Sequence, residues 1–338
     1  MNGVTIRDVA KAAEVSISTV SRYLNGSTKI EPLSRMRIEK AIRELEYMPN
    51  AAARSLKSQQ THVIGIIVSD IANAFFINVC KALESVISQY GYSLIICSSY
   101  EDREREYRSL KMLSERRVDA LVVCPSGKNN DLLLSIKKSG TPVIVIDRAF
   151  DDLALDRVIE NTGSVCRQLT SSLLSKGHRR ITFLVGSEQS QTAQVRVSGV
   201  RAAYEAAGVS FHEADIRFNC VDEWGAYHAT EDAMKKENPP TAVFALNPRM
   251  TNGFLMYAAR NHVQIPRQLS FIGLTLKNSV TVFPLDITRI EQDPEGVGLK
   301  TGDLLIKTLK GDRKSSEKPV SIEFEQNIVA GETVRSIL

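Results

Sequence analysis

From residue 63 onward the chain alternates short, nearly unbroken apolar runs with helical stretches, and this alternation restricts its fold more than any other feature. The runs are Val63 to Val68, Tyr92 to Cys97, Ala120 to Cys124 and Pro142 to Ile146, followed by Ile181 to Val185, a weaker one near Ile216 to Phe218, Thr241 to Leu246 and Leu269 to Gly273. A strand that is apolar on both sides has to be covered on both sides, so the pattern predicts parallel sheets flanked by helices. Two such series predict an α/β body of two similar lobes. The tail returns through Ile287 to Ile290, a helix from about Pro294 to Thr308 and a strand near Val320 to Phe324, a course able to cross between lobes. Ligands of open parallel sheets bind beyond the C-terminal strand ends, which places a pocket between the lobes.

The first sixty residues are written differently. Ile6, Val9, Ala10 and Ala13 recur at helical spacing behind a Thr5 to Asp8 pair suited to a capping box. Ser16 is a good N-cap for a second helix, Ile17 to Leu24, and Asn25-Gly26 supplies its stop. Ile38, Ala41, Ile42 and Leu45 write a third helix that ends before Pro49. Three short helices with one small core result, the first two joined by a tight turn. Residues 50 to 60 contain helix formers but few apolar anchors and too little length for a stable isolated helix, so order there is conditional.

Charge separates the two parts. Residues 1 to 60 hold ten Lys/Arg and six Asp/Glu, which accounts for the whole net charge of +4, while the remainder balances to zero. A small basic module on a neutral body points to a polyanionic partner, against the plainer reading of a solvated basic face. Cys80, Cys97, Cys124, Cys166 and Cys220 are odd in number and unpaired in spacing, which fits reduced thiols in or near a core. Neither a signal-like apolar segment nor a membrane-spanning run is present, so a reducing cytoplasm is expected.

The run Val4-Thr5-Ile6-Arg7-Asp8-Val9-Ala10-Lys11-Ala12-Ala13, followed by Val15-Ser16-Ile17-Ser18-Thr19-Val20-Ser21-Arg22, closely resembles the start of the lactose-repressor (LacI/GalR) family. Further matches are Pro49 to Leu56, Ile64 to Val68, Gly177 to Ile181, and Arg196 with Gly199, so the resemblance spans essentially the whole chain. It implies a helix-turn-helix headpiece (1–49), a hinge helix or linker (50–61) and a periplasmic-binding-protein-like core (62–338) of two doubly wound α/β lobes. The N-lobe would comprise about 62–160 with a crossover from about 291–325, and the C-lobe about 161–290 with the tail. The implied function is a transcription regulator, most simply a repressor in carbohydrate metabolism, that binds double-stranded operator DNA as a homodimer under a small-molecule effector. A dimer sets two recognition helices in successive major grooves, so the operator is expected to be an approximate palindrome. Only a short tail follows the last expected strand, without a heptad repeat, which favours a dimer over a tail-made tetramer.

By resemblance, Ile17, Ser18 and Arg22 reach base edges. Arg22 can pair bidentately with guanine, Ser18 discriminates less, and Ile17 can only touch a thymine methyl. Side-chain reach alone leaves Arg22 free to contact phosphate instead. Thr5, Ser16, Thr19, Ser21 and Asn25 would position the backbone, a role compatible with plain caps and turns. In the hinge, Asn50, Ala53, Leu56 and Lys57 are implied DNA contacts. Leu56 would wedge into the minor groove at a flexible step, and the small Ala51, Ala52 and Ala53 would admit the partner hinge. As an ordinary linker leucine, Leu56 would have no core to enter.

Mapped by position, the effector cleft would draw on Asp70, Asn73, Phe75, Asp147, Arg148, Arg196, Trp224, Asn247, Arg249 and Thr275. Trp224, the sole tryptophan, would either stack on a ligand or pack the rim. Two departures from the family pattern matter: Asn247-Pro248-Arg249 replaces the common Asn-Asp, and Leu274-Thr275-Leu276 replaces Phe-Asp-Asp. The carboxylate that grips sugar hydroxyls is therefore absent at Thr275. With Arg148, Arg196, Arg249 and Lys277 nearby, the expectation shifts from a neutral sugar toward an acidic effector, a sugar acid or sugar phosphate, unless the basic side chains point to solvent. No cofactor or metal is implied. An enzyme reading lacks any phosphate loop, nucleophile elbow or metal-ligand spacing, and His178 before a strand reads as a local hydrogen-bonding or surface residue. An extracellular solute-binding protein would explain the lobes but not the headpiece.

Overall fold

The computed structural model describes residues 4–24, 29–48, 60–150, 152–220, 222–279, 283–312 and 318–338. The chain forms two compact units, Met1–Thr61 and His62–Leu338. The first contains α1 (Ile6–Ala12), α2 (Ile17–Leu24) and α3 (Pro32–Glu44). Asp8 accepts hydrogen bonds from the Thr5 backbone N–H (2.8 Å) and hydroxyl (2.7 Å), which fixes the start of α1 and holds the Asp8 carboxyl below its usual range. Glu14 turns the chain with φ of 53°, letting the Val15 N–H return to the Ala10 carbonyl at 3.0 Å before α2 begins. Val9, Ala10, Ala13, Val20, Ile38 and Ala41 make the core, and the Tyr23 hydroxyl donates to Glu39 at 3.1 Å to join α2 with α3.

The second unit holds two six-stranded sheets. In the N-lobe these are β1 (Val63–Val68), β2 (Ser93–Ser98), β3 (Ala120–Val123), β4 (Val143–Ile146), β5 (Asp156–Glu160) and β11 (Ser321–Phe324), ordered β11-β5-β4-β3-β1-β2 and all parallel. The C-lobe sheet takes β6 (Ile181–Leu184), β7 (Ile216–Arg217), β8 (Ala242–Ala245), β9 (Ser270–Leu276), β10 (Arg289–Gln292) and β12 (Asn327–Val329), ordered β12-β10-β9-β8-β6-β7. β12 alone runs antiparallel, against β10. Helices α4 (Ala74–Ile87), α5 (Arg103–Glu115) and α6 (Asn130–Lys138) flank the first sheet, joined by α11 (Pro294–Leu309) from far along the chain. The second sheet is flanked by α7 (Thr162–Ser175), α8 (Gln191–Ala207), α9 (Glu223–Met234) and α10 (Pro248–Arg260). The inner strands are buried on both faces because helices cover both faces, as in β1, where five consecutive residues are buried, whereas the edge strand β2 has none.

Two strands differ from the sequence expectation. β5, Asp-Arg-Val-Ile-Glu, buries only its central Val158 and lacks an apolar run, and β12 follows the last strand that the sequence predicts. Both lie toward the edges of their sheets, where polar residues are tolerated. The return strand begins at Arg289 and not Ile287. Close packing of α7 on α8 depends on Gly199, whose missing Cβ would lie 2.1 Å from the Gly163 carbonyl oxygen.

The chain passes between lobes after β5, after β10 and after β11, and Glu160 ties these three passages together. Its carboxylate accepts from the Gln292 side chain (2.9 Å), the Asp293 backbone N–H (2.9 Å) and the Gln326 side chain (3.0 Å). Of the two readings of His178, hydrogen-bonding or surface, the first describes it: the ring bonds Thr241 Oγ1 (2.9 Å) and the Arg335 carbonyl (3.1 Å), and the residue is fully buried. All five cysteines are free thiols. Among the described residues no helix is long and apolar enough to cross a membrane.

Candidate DNA-reading helix and effector cleft

In the first unit Ser16 caps α2, accepting from the Thr19 N–H at 3.2 Å, and its hydroxyl also bonds Ser18 Oγ (2.7 Å) and Thr19 Oγ1 (2.8 Å). These bonds hold the helix start open to solvent. Ile17 is 46% exposed, Ser18 and Arg22 are exposed, and Arg22 Nε makes only a long bond to the Ser18 carbonyl (3.4 Å). Their opposite neighbour Val20 is fully buried, so the helix presents a polar face because its apolar residue anchors the other side. Thr5 is exposed at the cap of α1, while Thr19 and Ser21 are half-buried. Asn25, Asn50, Ala53, Leu56 and Lys57 lie outside the described residues.

The second unit contains a cleft of about 440 Å³ at the C-terminal ends of the strands, lined by both lobes. Asp70, Asn73, Phe75, Asp147 and Arg148 meet Arg196, Asn247 and Arg249 there, so eight of the residues assigned by position do converge. Four helices begin at its wall: Asn73, Asp222 and Asn247 cap α4, α9 and α10 with side-chain oxygens 2.7–3.0 Å from backbone N–H groups, and Ser190 precedes α8. Their N-terminal dipoles add a favourable field for oxygen atoms in the cleft.

The side chains are already interlocked. Arg148, 4% exposed, donates to both carboxylate oxygens of Glu101, one at 2.7 Å, and to the Pro125 carbonyl at 3.2 Å. Tyr100 and Glu101 have φ of 53° and 60°, a left-handed pair that turns the chain after β2 and brings Glu101 onto Arg148. Arg196 bonds Thr162 Oγ1 (2.8 Å) and the Leu246 carbonyl (2.7 Å). Arg249 Nη2 reaches Asp70 Oδ2 across the cleft at 3.2 Å. Other bonds across it run from Thr192 to Asp147 (3.1 Å) and from Arg148 to Ser190 (3.3 Å). Burial beside Asp147 pushes the Cys124 thiol well up, so it stays protonated against that carboxylate.

Three expectations are corrected. Trp224 is outside the cleft: it is 48% exposed, under the Arg260 guanidinium at 4.9 Å and beside the His228 and Tyr227 rings. Thr275 lines a separate, mainly apolar cavity of about 400 Å³ with Pro248, Leu255 and Phe283, and its hydroxyl finds no partner there. The cleft is not cationic, since four carboxylates (Asp70, Glu101, Asp147, Asp222) face three guanidiniums, and Lys277 pairs with Asp293 at 2.9 Å instead of lining it. Sequence reading missed Glu101, Ser190, Thr192, Asp222 and Gln292. Glu101 and Asp222 were accessible to the rule that loops after parallel strands carry sites, whereas Gln292 needed the crossover register.

Comparison with known proteins agrees with both parts. Residues 5–50 match the model for bacterial regulatory proteins of the lacI family, and residues 61–326 match that for periplasmic binding proteins and the sugar binding domain of the LacI family. The probable HTH-type transcriptional regulator EndR of Paenibacillus polymyxa is 30% identical over 93% of each chain. The HTH-type transcriptional repressor PurR of Vibrio campbellii is 31% identical over 98% of this chain and 99% of its own. The fold is shared with the lac repressor dimer bound to operator and the anti-inducer ONPF, at a TM-score of 0.84, 22% identity and coverage of 99% and 100%. A basic three-helix unit with an exposed second helix, a two-lobed cleft body, and sequence matches over both place this chain in the LacI family of DNA-binding bacterial transcriptional regulators.

Proposed function

We propose that the protein is a cytoplasmic repressor that binds a palindromic operator as a homodimer and is switched by a small molecule in the inter-lobe cleft. The observation that carries the reading is the exposed face of α2, where Ile17, Ser18 and Arg22 face solvent on the unit that bears all the net charge. Arg22 reads guanine, Ser18 and Ile17 assist, and Thr5, Ser16, Thr19, Ser21 and Asn25 hold phosphates. The hinge roles of Asn50, Ala53, Leu56 and Lys57 belong to the same proposal, as does the division at residues 49, 61 and 160. Relatives named as repressors and a related dimer bound to operator support it. Exposed apolar side chains at the free edge of the first sheet and on neighbouring helices, Ile96 (41%), Ile77 (44%) and Tyr107 (43%), supply a surface for a second copy.

Within the class of sugar, sugar acid or sugar phosphate, the cleft favours an uncharged, hydroxyl-rich effector. Its cations are paired or hydrogen-bonded within the chain, so an added anion would have to displace Glu101 or Asp70. Asp70, Asn73, Asp147, Arg196, Asn247 and Arg249 offer mixed donors and acceptors, and Phe75 an apolar wall. Binding shifts the angle between lobes and so the population of DNA-competent dimers. Selection of bound sequences from a random DNA pool, followed by gel shifts over a salt series, tests the DNA reading. The expected result is a two-fold symmetric site with a steep salt slope, and recovery of asymmetric sites or no enrichment would refute it.

A further inference from the structure

Strands β6 and β8 point their carboxyl ends into the cleft through Val185 and Leu246. The amino ends of the same strands border a different groove, of about 500 Å³, at the far end of the C-lobe. Arg179, Arg180, Lys236 and His212 line it, with Asp215 as its single carboxylate. Its electrostatics reverse those of the cleft, for here the cations are unmatched. Arg179 Nη1 donates to the carbonyls of Leu174 (2.7 Å) and His178 (3.0 Å), and Arg180 Nε to that of Pro239 (2.9 Å). Each guanidinium is thus anchored by one edge, and neither it nor Lys236 has an ion-pair partner among the described residues. Burial holds the Asp215 carboxyl above the usual range although Lys236, His212 and Arg217 lie near it, and as a carboxylate it offsets one of the groove's positive charges.

Helix capping explains part of this. Leu174 is in the last turn of α7, and a basic side chain is favourable at such an end. Capping explains neither Lys236 nor Thr182. Thr182, on β6, is 2% exposed and lines the groove, and its hydroxyl has no hydrogen-bond partner among the described residues. A hydroxyl left without a protein partner beside an open basin can donate to water or to a bound oxyanion. Two half-used guanidinium forks, an ammonium and a free hydroxyl around one basin are complementary to a tetrahedral oxyanion.

We propose that this groove binds a phosphoryl group, carried by inorganic phosphate or by a small phosphorylated metabolite, at a site separate from the cleft. Arg179, Arg180 and Lys236 supply the charge and the Thr182 hydroxyl donates from the floor. The test is calorimetric titration of the full chain with inorganic phosphate, glucose 6-phosphate and glucose, with sodium chloride at matched ionic strength as the reference. Saturable binding of at least one phosphate ligand is expected, and any binding of glucose should be unchanged in Lys236→Gln. Thr182→Val should weaken it at least tenfold and Lys236→Gln about fivefold, without altering thermal unfolding in chloride. The stronger of the two phosphate ligands identifies the source. Binding no better than in chloride, or equal affinity in wild type and Lys236→Gln, overturns the inference; the exposed Lys236 keeps the test valid should Thr182→Val fail to fold.

Discussion

Removing the Glu160 carboxylate should loosen the junction of the three inter-lobe passages, and the cost can be worked from its bonds. Oε2 accepts from Gln292 (2.9 Å) and Gln326 (3.0 Å), and Oε1 from the Asp293 N–H (2.9 Å). Three bonds to a charged group, at about 1.5–3 kcal/mol each, are worth roughly 5–9 kcal/mol in gross terms. Burial takes much of this back, and despite those donors it raises the Glu160 carboxyl above its ordinary value of 4.5. A net loss of about 2–3 kcal/mol in Glu160→Ala at pH 7 is expected. Glu160→Gln keeps one acceptor but turns an NH₂ toward a donor, for about 1–2 kcal/mol. The pH dependence has a fixed sign. A carboxyl whose folded value is raised holds its proton more tightly in the fold, so its contribution is full below 4.5 and declines as pH rises through the folded value. The gap between wild type and Glu160→Ala should therefore narrow from pH 4.5 upward. Urea unfolding at a series of pH values measures it. A Glu160→Ala midpoint equal to wild type, or a gap that widens with pH, would refute the reasoning.

Arg22→Ala should cost about 1–3 kcal/mol of base discrimination, seen in gel shifts as similar affinity for the selected operator and for one altered at the contacted guanine; if discrimination survives, Arg22 contacts phosphate only. Gly199→Ala forces a Cβ to within 2.1 Å of the Gly163 oxygen, so the α7–α8 contact must open, with a loss of about 2–3 kcal/mol in chemical denaturation; an unaffected midpoint would show that the helices yield freely. His178 is held by burial below its ordinary value of 6.5, so its contribution is full above 6.5 and lost as pH falls through the lower folded value. Thermal unfolding of wild type should accordingly drop between pH 7.5 and 5.5 more than that of His178→Gln, and parallel curves would count against the buried neutral imidazole.

How far the sequence spoke for the structure depended on whether a feature was local. The Thr5–Asp8 cap, the Ser16 cap and the buried Val9, Val20 and Ile38 follow from spacing along one helix. Trp224 shows where position fails. Asp222 caps α9 at the cleft, but each residue turns about 100° around a helix, so a side chain two places on faces nearly the opposite way. Thr275 fails similarly, because a strand residue's side follows from register and not from its nearness to the strand end. The charge expectation counted cations without their partners: Glu101 follows a parallel strand, but only the left-handed turn at Tyr100 and Glu101 brings its carboxylate onto Arg148.

By itself the sequence determined the basic three-helix unit, the two-lobed parallel α/β body and the family, because periodicity, capping and unbroken apolar runs are properties of neighbouring residues. Tertiary structure alone decided the ionic balance of the cleft, the Glu160 junction and the unmatched cations of the far groove. Those depend on which distant side chains end within hydrogen-bonding distance, and at such distances pairing, not residue type, sets whether a charge is available to a ligand.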